Sequence, residues 1–203
     1  MISPERAQVF EQAIVAHLGV IGALREQVNI LEQIAAEMTR AVLNGKKVLW
    51  CGNGGSAADS QHLAAEFVGR FRRERRAMAS IALTTDTSIL TAIGNDYGYE
   101  HVFARQVEAL CVPGDVLVGI STSGNSRSTL LAVQAARKQG AFAVAFTGND
   151  GGEVARFADA TLRIPSRDTA RIQEGHILCG HMICDWVEMH LCQHLAGEKE
   201  VVE

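Results

Sequence analysis

Two separated stretches of the chain carry residue types suited to acid–base or metal chemistry. In Ser60-Gln61-His62-Leu63-Ala64-Ala65-Glu66, an imidazole and a carboxylate stand four residues apart. On a helix that spacing puts both on one face, close enough to bind one metal ion or to act together. In isolation such a pair is more often a solvated surface feature. Here His62 follows a glycine-rich loop by less than two helical turns, so the pair lies within reach of anything that loop binds. Arg70, a further four residues on, continues the same face and could reach an anion. The other candidate is His181, in the long segment that opens Ala170-Arg171-Ile172-Gln173-Glu174-Gly175-His176. On an apolar face it is equally a satisfied core histidine. His190 and His194 read as surface or interface residues, and His17, His101 and His176 as structural.

The glycine-rich loop is Cys51-Gly52-Asn53-Gly54-Gly55-Ser56-Ala57. Glycines let the backbone approach a ligand closely, and the helix that follows offers its N-terminus to an anion. The loop matches the form G-x-G-x-x-A, but a dinucleotide site wants an acid ending the second strand about 20 residues on. The nearest acid, Asp86, falls about ten residues beyond that. A second loop, Ser121-Thr122-Ser123-Gly124-Asn125-Ser126, offers three hydroxyls, a glycine and a serine at a helix start. Such neutral donors suit a phosphate monoester. A helix cap accounts for Ser126 but leaves Ser121, Thr122 and Ser123 without a purpose. No Gly-Lys-Ser/Thr is present, so the lysine that handles a triphosphate is missing and a small molecule with one phosphate fits better. Thr147-Gly148-Asn149-Asp150-Gly151-Gly152 reads as turn chemistry with a structural role.

These loops need elements to position them. Residues 5–44 read as one or two helices, with Val28, Leu31, Ile34, Ala35, Met38, Ala41 and Val42 at helical spacing. Then come short apolar runs of strand length at 47–51, 79–83, 115–120, 142–146 and 160–164. Helical stretches fall between them, at 56–72, 87–93, 100–110, 126–138 and 151–157, and a last one covers 169–196. The alternation predicts an α/β fold, a parallel sheet with helices on both faces. Ligands of such sheets sit beyond the carboxyl ends of the strands, where the loops lie. No repeat or linker divides residues 1–203, so a single domain is expected, with helices 5–44 packed on it.

Composition narrows the function. Hydrophobic residues make up 47% and charged residues 21%, as in globular domains, and the net charge of −4 gives no general drive toward nucleic acid or anionic membrane. No uninterrupted apolar run reaches the roughly 18 residues of a membrane span, and Met1-Ile2-Ser3-Pro4-Glu5-Arg6 lacks a signal-peptide core. A cytoplasmic protein with no membrane and no direct nucleic-acid partner is expected. The five cysteines include no C-x-x-C, which suggests neither a disulfide framework nor a thiolate zinc site. They read as small buried hydrophobes. Arg70, Arg72, Arg73, Arg75 and Arg76 read as a solvated or subunit-contact surface.

Taken together, Cys51–Ser56, Gln61-His62 with Glu66 and Gly69-Arg70, Gly94-Asn95-Asp96, Gly119–Ser126, Thr147–Gly152, Arg171-Ile172-Gln173-Glu174 and His181 resemble a sugar isomerase (SIS) domain. Within that group they resemble bacterial phosphoheptose isomerases, over nearly the whole chain. The resemblance implies a three-layer αβα sandwich with a five-stranded parallel sheet, and a homotetramer with active sites between subunits. It implies interconversion of sedoheptulose 7-phosphate and D-glycero-D-manno-heptose 7-phosphate for lipopolysaccharide heptose synthesis. By the same resemblance Asn53, Gly54, Gly55, Glu66, Asn95, Asp96, Ser121, Thr122, Ser123, Ser126 and Gln173 contact substrate. His62, Glu66, Gln173 and His181 would hold one zinc per subunit. Non-catalytic relatives bind the replication initiator, but they lack the residues corresponding to Glu66 and His181. An arabinose 5-phosphate isomerase is a further alternative, although such enzymes usually carry extra regulatory domains.

An aldose–ketose exchange needs a base, an acid and a means of holding enediolate charge. Glu66 is the best base and His181 the best partner acid. Two tensions follow. Glu66 cannot be a tight metal ligand and a free base at once, so the metal is loosely held or the site rearranges when substrate binds. Gln173 and His181 are eight apart, a rise of about 12 Å on one helix. They share an ion only if Gln173 precedes the helix, its side chain leans far along, or a second subunit contributes. A site composed across subunits is the expectation.

Overall fold

A computed structural model describes residues 4–200, with side chains described for 8–196. The opening Met1–Ser3 lies outside the described residues. The five apolar runs are too short for helices and form strands β1 (Val48–Gly52), β2 (Ser80–Ala82), β3 (Val116–Ser121), β4 (Phe142–Gly148) and β5 (Ala160–Ile164). They pair in parallel, in the order β2-β1-β3-β4-β5. After β1 the chain adds β2 on one side and then crosses back to add β3 on the other. The carboxyl ends of β1 and β3 therefore flank the crevice where such sheets bind ligands.

Parallel sheets are covered on both faces, and strand alternation divides the core accordingly. Val48, Trp50, Val118, Ile120, Val144, Phe146 and Leu162 face one way. They pack against α2 (Val28–Leu43), α3 (Gly55–Val68) and α8 (Thr169–Glu200). Leu49, Cys51, Leu117, Ala143 and Ala145 face the other way, against α5 (Ala104–Leu110) and α6 (Arg127–Lys138). The remaining helices are α1 (Pro4–Ala23), α4 (Thr87–Tyr97) and the single turn α7 (Gly152–Ala155). The result is the expected αβα sandwich, with five parallel strands and the N-terminal helices against it.

Some element ends differ from the sequence-based expectation. The helix expected to run to residue 72 stops at Val68, because the guanidinium of Arg75 donates to the carbonyls of Glu66, Phe67 and Gly69 and closes its last turn. Arg70 thus lies beyond the helix and off the Glu66 face, exposed and 4.0 Å from Glu74. The basic run is not wholly solvated either, since the Arg75 side chain is buried. The expected helix at 100–110 begins as a 3₁₀ turn, Tyr99–His101. Four cysteines are buried as expected, and Cys192 is partly so. Burial pushes the thiols of Cys51 and Cys179 up to about 12, which leaves them inert.

By length and mean hydropathy the helical stretch Gln8–Leu43 would suffice to cross a membrane, which a count of uninterrupted apolar residues does not register. Its α2 half is a core helix, with Leu31, Ile34 and Met38 buried. Its α1 half exposes Phe10, Ile14, Val15 and Leu18.

Helices α3 and α8 lie side by side, and Gly180 sets their spacing. A Cβ there would come within 2.6 Å of the Leu63 methyls, and Leu63 is fully buried. Gly180→Ala is expected to push the helices apart and to lower stability by about 1–3 kcal/mol, read from the denaturant midpoint. Nearby, His176 of α8 is fully buried, with Nε2 3.0 Å from the Thr147 carbonyl and Nδ1 unpartnered. Burial pushes its pKa down to about 4, against the opposing pull of that hydrogen bond. The folded state therefore binds this proton less readily than the unfolded chain. Stability should be intact above pH 6.5 and fall by about 3 kcal/mol as pH drops toward 4, a slope that His176→Gln should flatten in urea titrations.

Candidate active site

Two strand-end loops enclose a cleft of about 380 Å³ at the β1–β3 crevice, lined by Asn53, Gly54, Gly55, Ser121, Thr122, Ser123, Ser126, Thr169 and Gln173. Its polar groups are held before any ligand arrives. The Asn53 amide donates to Ser126 Oγ (2.9 Å) and Ser128 Oγ (3.0 Å). The Ser126 amide donates to Ser121 Oγ at 3.3 Å. Ser126 stands at the N-cap of α6, yet its hydroxyl makes no capping bond; it belongs to this network instead. The N-terminus of α6 adds partial positive charge to the donor set. Gly124 takes φ +67° and abuts the Gly151 carbonyl so closely that no Cβ fits. The 147–152 turn has the structural role expected of it, as a brace: the Gly148 amide donates to the Thr122 carbonyl, and Val154 to that of Gly124.

Along α3 and α8 from this cleft, three donors converge. His62 Nε2 lies 3.1 Å from Glu66 Oε1 and 3.3 Å from His181 Nε2. All three ligand atoms fall within 4.8 Å of one another. A tetrahedral zinc with bonds of about 2.0–2.1 Å has donor–donor edges of about 3.3–3.4 Å, so the spacing and the nitrogen–oxygen donor set both fit zinc. Phe71 stacks on the His181 ring, with centroids 5.4 Å apart. Burial, with His62 and Arg72 nearby, holds the His181 pKa below the usual histidine range despite the opposing charge of Glu66. A neutral imidazole, with a lone pair for a proton or a metal, is the result.

The structure distributes the other candidates as follows. Gln173 lies inside the continuous α8, so it does not precede the helix, and its amide packs on Gly55 in the cleft. His62, Glu66 and His181 meet within one chain, so no second subunit is needed to supply those three. Asn95 and Asp96 end α4, exposed, with the Asn95 amide donating to Asp96 at 2.8 Å; they do not line the cleft. Sequence reasoning missed Tyr99, whose hydroxyl donates to Asn53 Oδ1 at 2.8 Å. It also missed Phe71. The only signals for either were aromatic residues beside Asn95-Asp96 and within the arginine run.

A sequence model of the SIS domain matches residues 12–148. The phosphoheptose isomerase of Aquifex aeolicus is 50% identical over 186 residues, spanning 92% of this chain and 96% of its own. The chain belongs to the phosphoheptose isomerase family of SIS-domain proteins. Solved structures agree. Phosphoheptose isomerase GmhA from Neisseria gonorrhoeae matches with a TM-score of 0.79 at 46% identity, over 89% of this chain and 99% of that one. A phosphoheptose isomerase from Francisella tularensis gives 0.84 at 38% identity, over 93% and 100%. This member of the family is thus an enzyme, an isomerase, rather than a binding-only relative.

In this phosphoheptose isomerase family member, Tyr99 ties the Asn95-Asp96 corner to the cleft through one hydrogen bond to Asn53. Tyr99→Phe removes that bond and leaves the Asn53 side chain held through its amide nitrogen alone, by Ser126 and Ser128. The expected result is a several-fold rise in KM for a phosphosugar, with little change in kcat, measured by steady-state kinetics.

Proposed function

We propose that the chain interconverts sedoheptulose 7-phosphate and D-glycero-D-manno-heptose 7-phosphate, in the cytoplasm, as a step toward lipopolysaccharide heptose, with residues 1–203 forming one SIS domain. The observation that carries the reading is the pairing of a neutral phosphate cleft with the His62–Glu66–His181 set about two helical turns away. Gly55 and His62 are offset by about 10 Å along α3. An extended seven-carbon phosphate spans roughly the same distance from C1 to phosphorus, at an advance of about 1.2 Å per bond. Phosphate in the cleft therefore sets C1 and C2 beside Glu66 and His181.

In this reading Ser121, Thr122, Ser123 and Ser126, with the amides of α6, hold the phosphate, and Asn53, Gly54 and Gly55 close over the sugar. The Glu66 carboxylate takes a proton from C1 of the ketose and returns it to C2. His181, neutral and oriented by Phe71, moves the proton between the two oxygens. His62, Glu66 and His181 would hold one zinc; within this chain the Gln173 amide packs on Gly55 in the cleft, so a fourth donor of that type would have to come from a neighbouring copy. Zinc when bound supplies Lewis-acid stabilisation of charge on those oxygens. A set without thiolate binds zinc less tightly than a cysteine site and releases it in acid, through its histidines.

The exposed apolar residues of α1, Phe10, Ile14 and Leu18 among them, support assembly into a homotetramer. The exposed Asn95 and Asp96 support a cleft completed by a neighbouring copy.

The test is turnover of sedoheptulose 7-phosphate to the aldose, with Glu66→Gln run alongside. Wild type should be active and Glu66→Gln should lose at least about 100-fold in kcat. An inactive zinc-supplied wild type, or an active variant, overturns the assignment.

A further inference from the structure

Seven residues beyond His181 on α8, Glu188 is fully buried and takes no part in the cleft. Its carboxylate accepts three consecutive backbone amides: Phe71 on Oε1 at 2.9 Å, and Arg72 and Arg73 on Oε2, both at 2.8 Å. Arg75 Nε lies 3.3 Å from Oε1, on a side chain that is only 1% exposed; its N–H is not aligned for a hydrogen bond, so this contact is ionic. The Arg75 fork then donates to the carbonyls of Phe67 (2.9 Å), Gly69 (2.8 Å) and Glu66 (2.7 Å). Burying a carboxylate is costly unless it is paired and hydrogen-bonded, and here it is surrounded by the amides of an adjacent loop, the Arg75 guanidinium and that of Arg73, 3.7 Å from Oε2.

What this anchor holds is specific. Of the three amides, Phe71 belongs to the ring stacked on His181. Of the three carbonyls, Glu66 belongs to the residue whose carboxylate meets His62. One buried carboxylate is thus connected both to the residue whose ring stacks on His181 and, through Arg75, to the end of the helix that carries Glu66.

We propose that Glu188 is a positioning residue for the reaction. Through Phe71 and Arg75 it sets the distance and orientation of His181 relative to Glu66 and His62, and so the zinc affinity and proton transfer of the set, without touching substrate. The zinc and turnover parts of this inference rest on the function proposed above; the alignment of the His181 ring does not.

The experiment compares full-length wild type with Glu188→Gln, Glu188→Asp and Phe71→Leu. The first readout needs no metal: the His181 ring-proton NMR signal of metal-free protein, assigned by its loss in His181→Gln. The stacked Phe71 ring displaces that signal in wild type. Glu188→Gln should shift it toward the position seen in Phe71→Leu, and Glu188→Asp should restore part of the displacement. The second readout is zinc affinity by competition with a chromophoric chelator, expected to weaken by about 10–100-fold in Glu188→Gln and Phe71→Leu. The third is kcat, expected to fall with KM nearly unchanged, because the phosphate cleft is untouched.

An unchanged His181 signal and zinc affinity in folded Glu188→Gln overturns the proposal. Should Glu188→Gln not fold, Phe71→Leu decides, since it keeps the buried ion pair: wild-type zinc affinity and kcat in that variant make the anchor structural only. A wild type that binds no zinc and turns over no heptose phosphate defeats the functional reading instead, and the metal-free signal then judges the anchor separately.

Discussion

Helices α3 and α8 both start beyond the carboxyl ends of the strands and run side by side, and everything the site can do depends on how closely they pack. The contact is made in register along their length. Gly55 meets the Gln173 amide near the sheet edge, Gly180 meets Leu63 one stage further, and His62 and Glu66 meet His181 beside it. Beyond that, the loop after α3 closes on Glu188. Packed interiors do not deform smoothly, so a wider side chain at either glycine would displace chemistry lying a helical turn or more away.

That line of contacts runs from neutral to charged. At the cleft end the polar groups are hydroxyls, amides and glycine backbone, pre-oriented by Asn53 and by the 147–152 turn. Neutral donors beside a helix N-terminus can hold a monoester without the desolvation cost of burying a lysine. At the other end the titratable groups are separated by burial. Glu66 and the two histidines are reachable from solvent, while Glu188 and Arg75 are sealed. Burial by itself would raise the Glu188 carboxyl. The amides of Arg72, Arg73 and Phe71, with Arg75, overcome that and hold it below the usual carboxylate range. It stays charged at neutral pH, and so keeps its loop in place.

Much of the fold was legible because buried parallel sheets demand short, nearly continuous apolar runs with helices between them. The runs at 47–51, 115–120 and 142–146 were consistent with buried strands, being of strand length and bounded by glycine and turn residues. The cleft loops were legible for a related reason: a glycine or a hydroxyl cluster directly after such a run has few structural uses. His62 and Glu66 were legible as a pair because the helical period is local, and four residues on one helix always meet.

Residues whose partners lie far along the chain were not legible. Nothing in the sequence separates Arg75, capping α3 over buried Glu188, from its exposed neighbours Arg72 and Arg76. Glu188 reads as one more acid in a terminal helix. Tyr99 and Phe71 act only through Asn53 and His181, which lie 46 and 110 positions away. The sequence alone determined which groups exist and which lie on one helical face, because those depend on local periodicity. Whether His181 joins His62, whether Gln173 lies in the cleft, and which arginine is buried were decided by tertiary packing, because distance between remote residues is set by how helices and strands fit against one another.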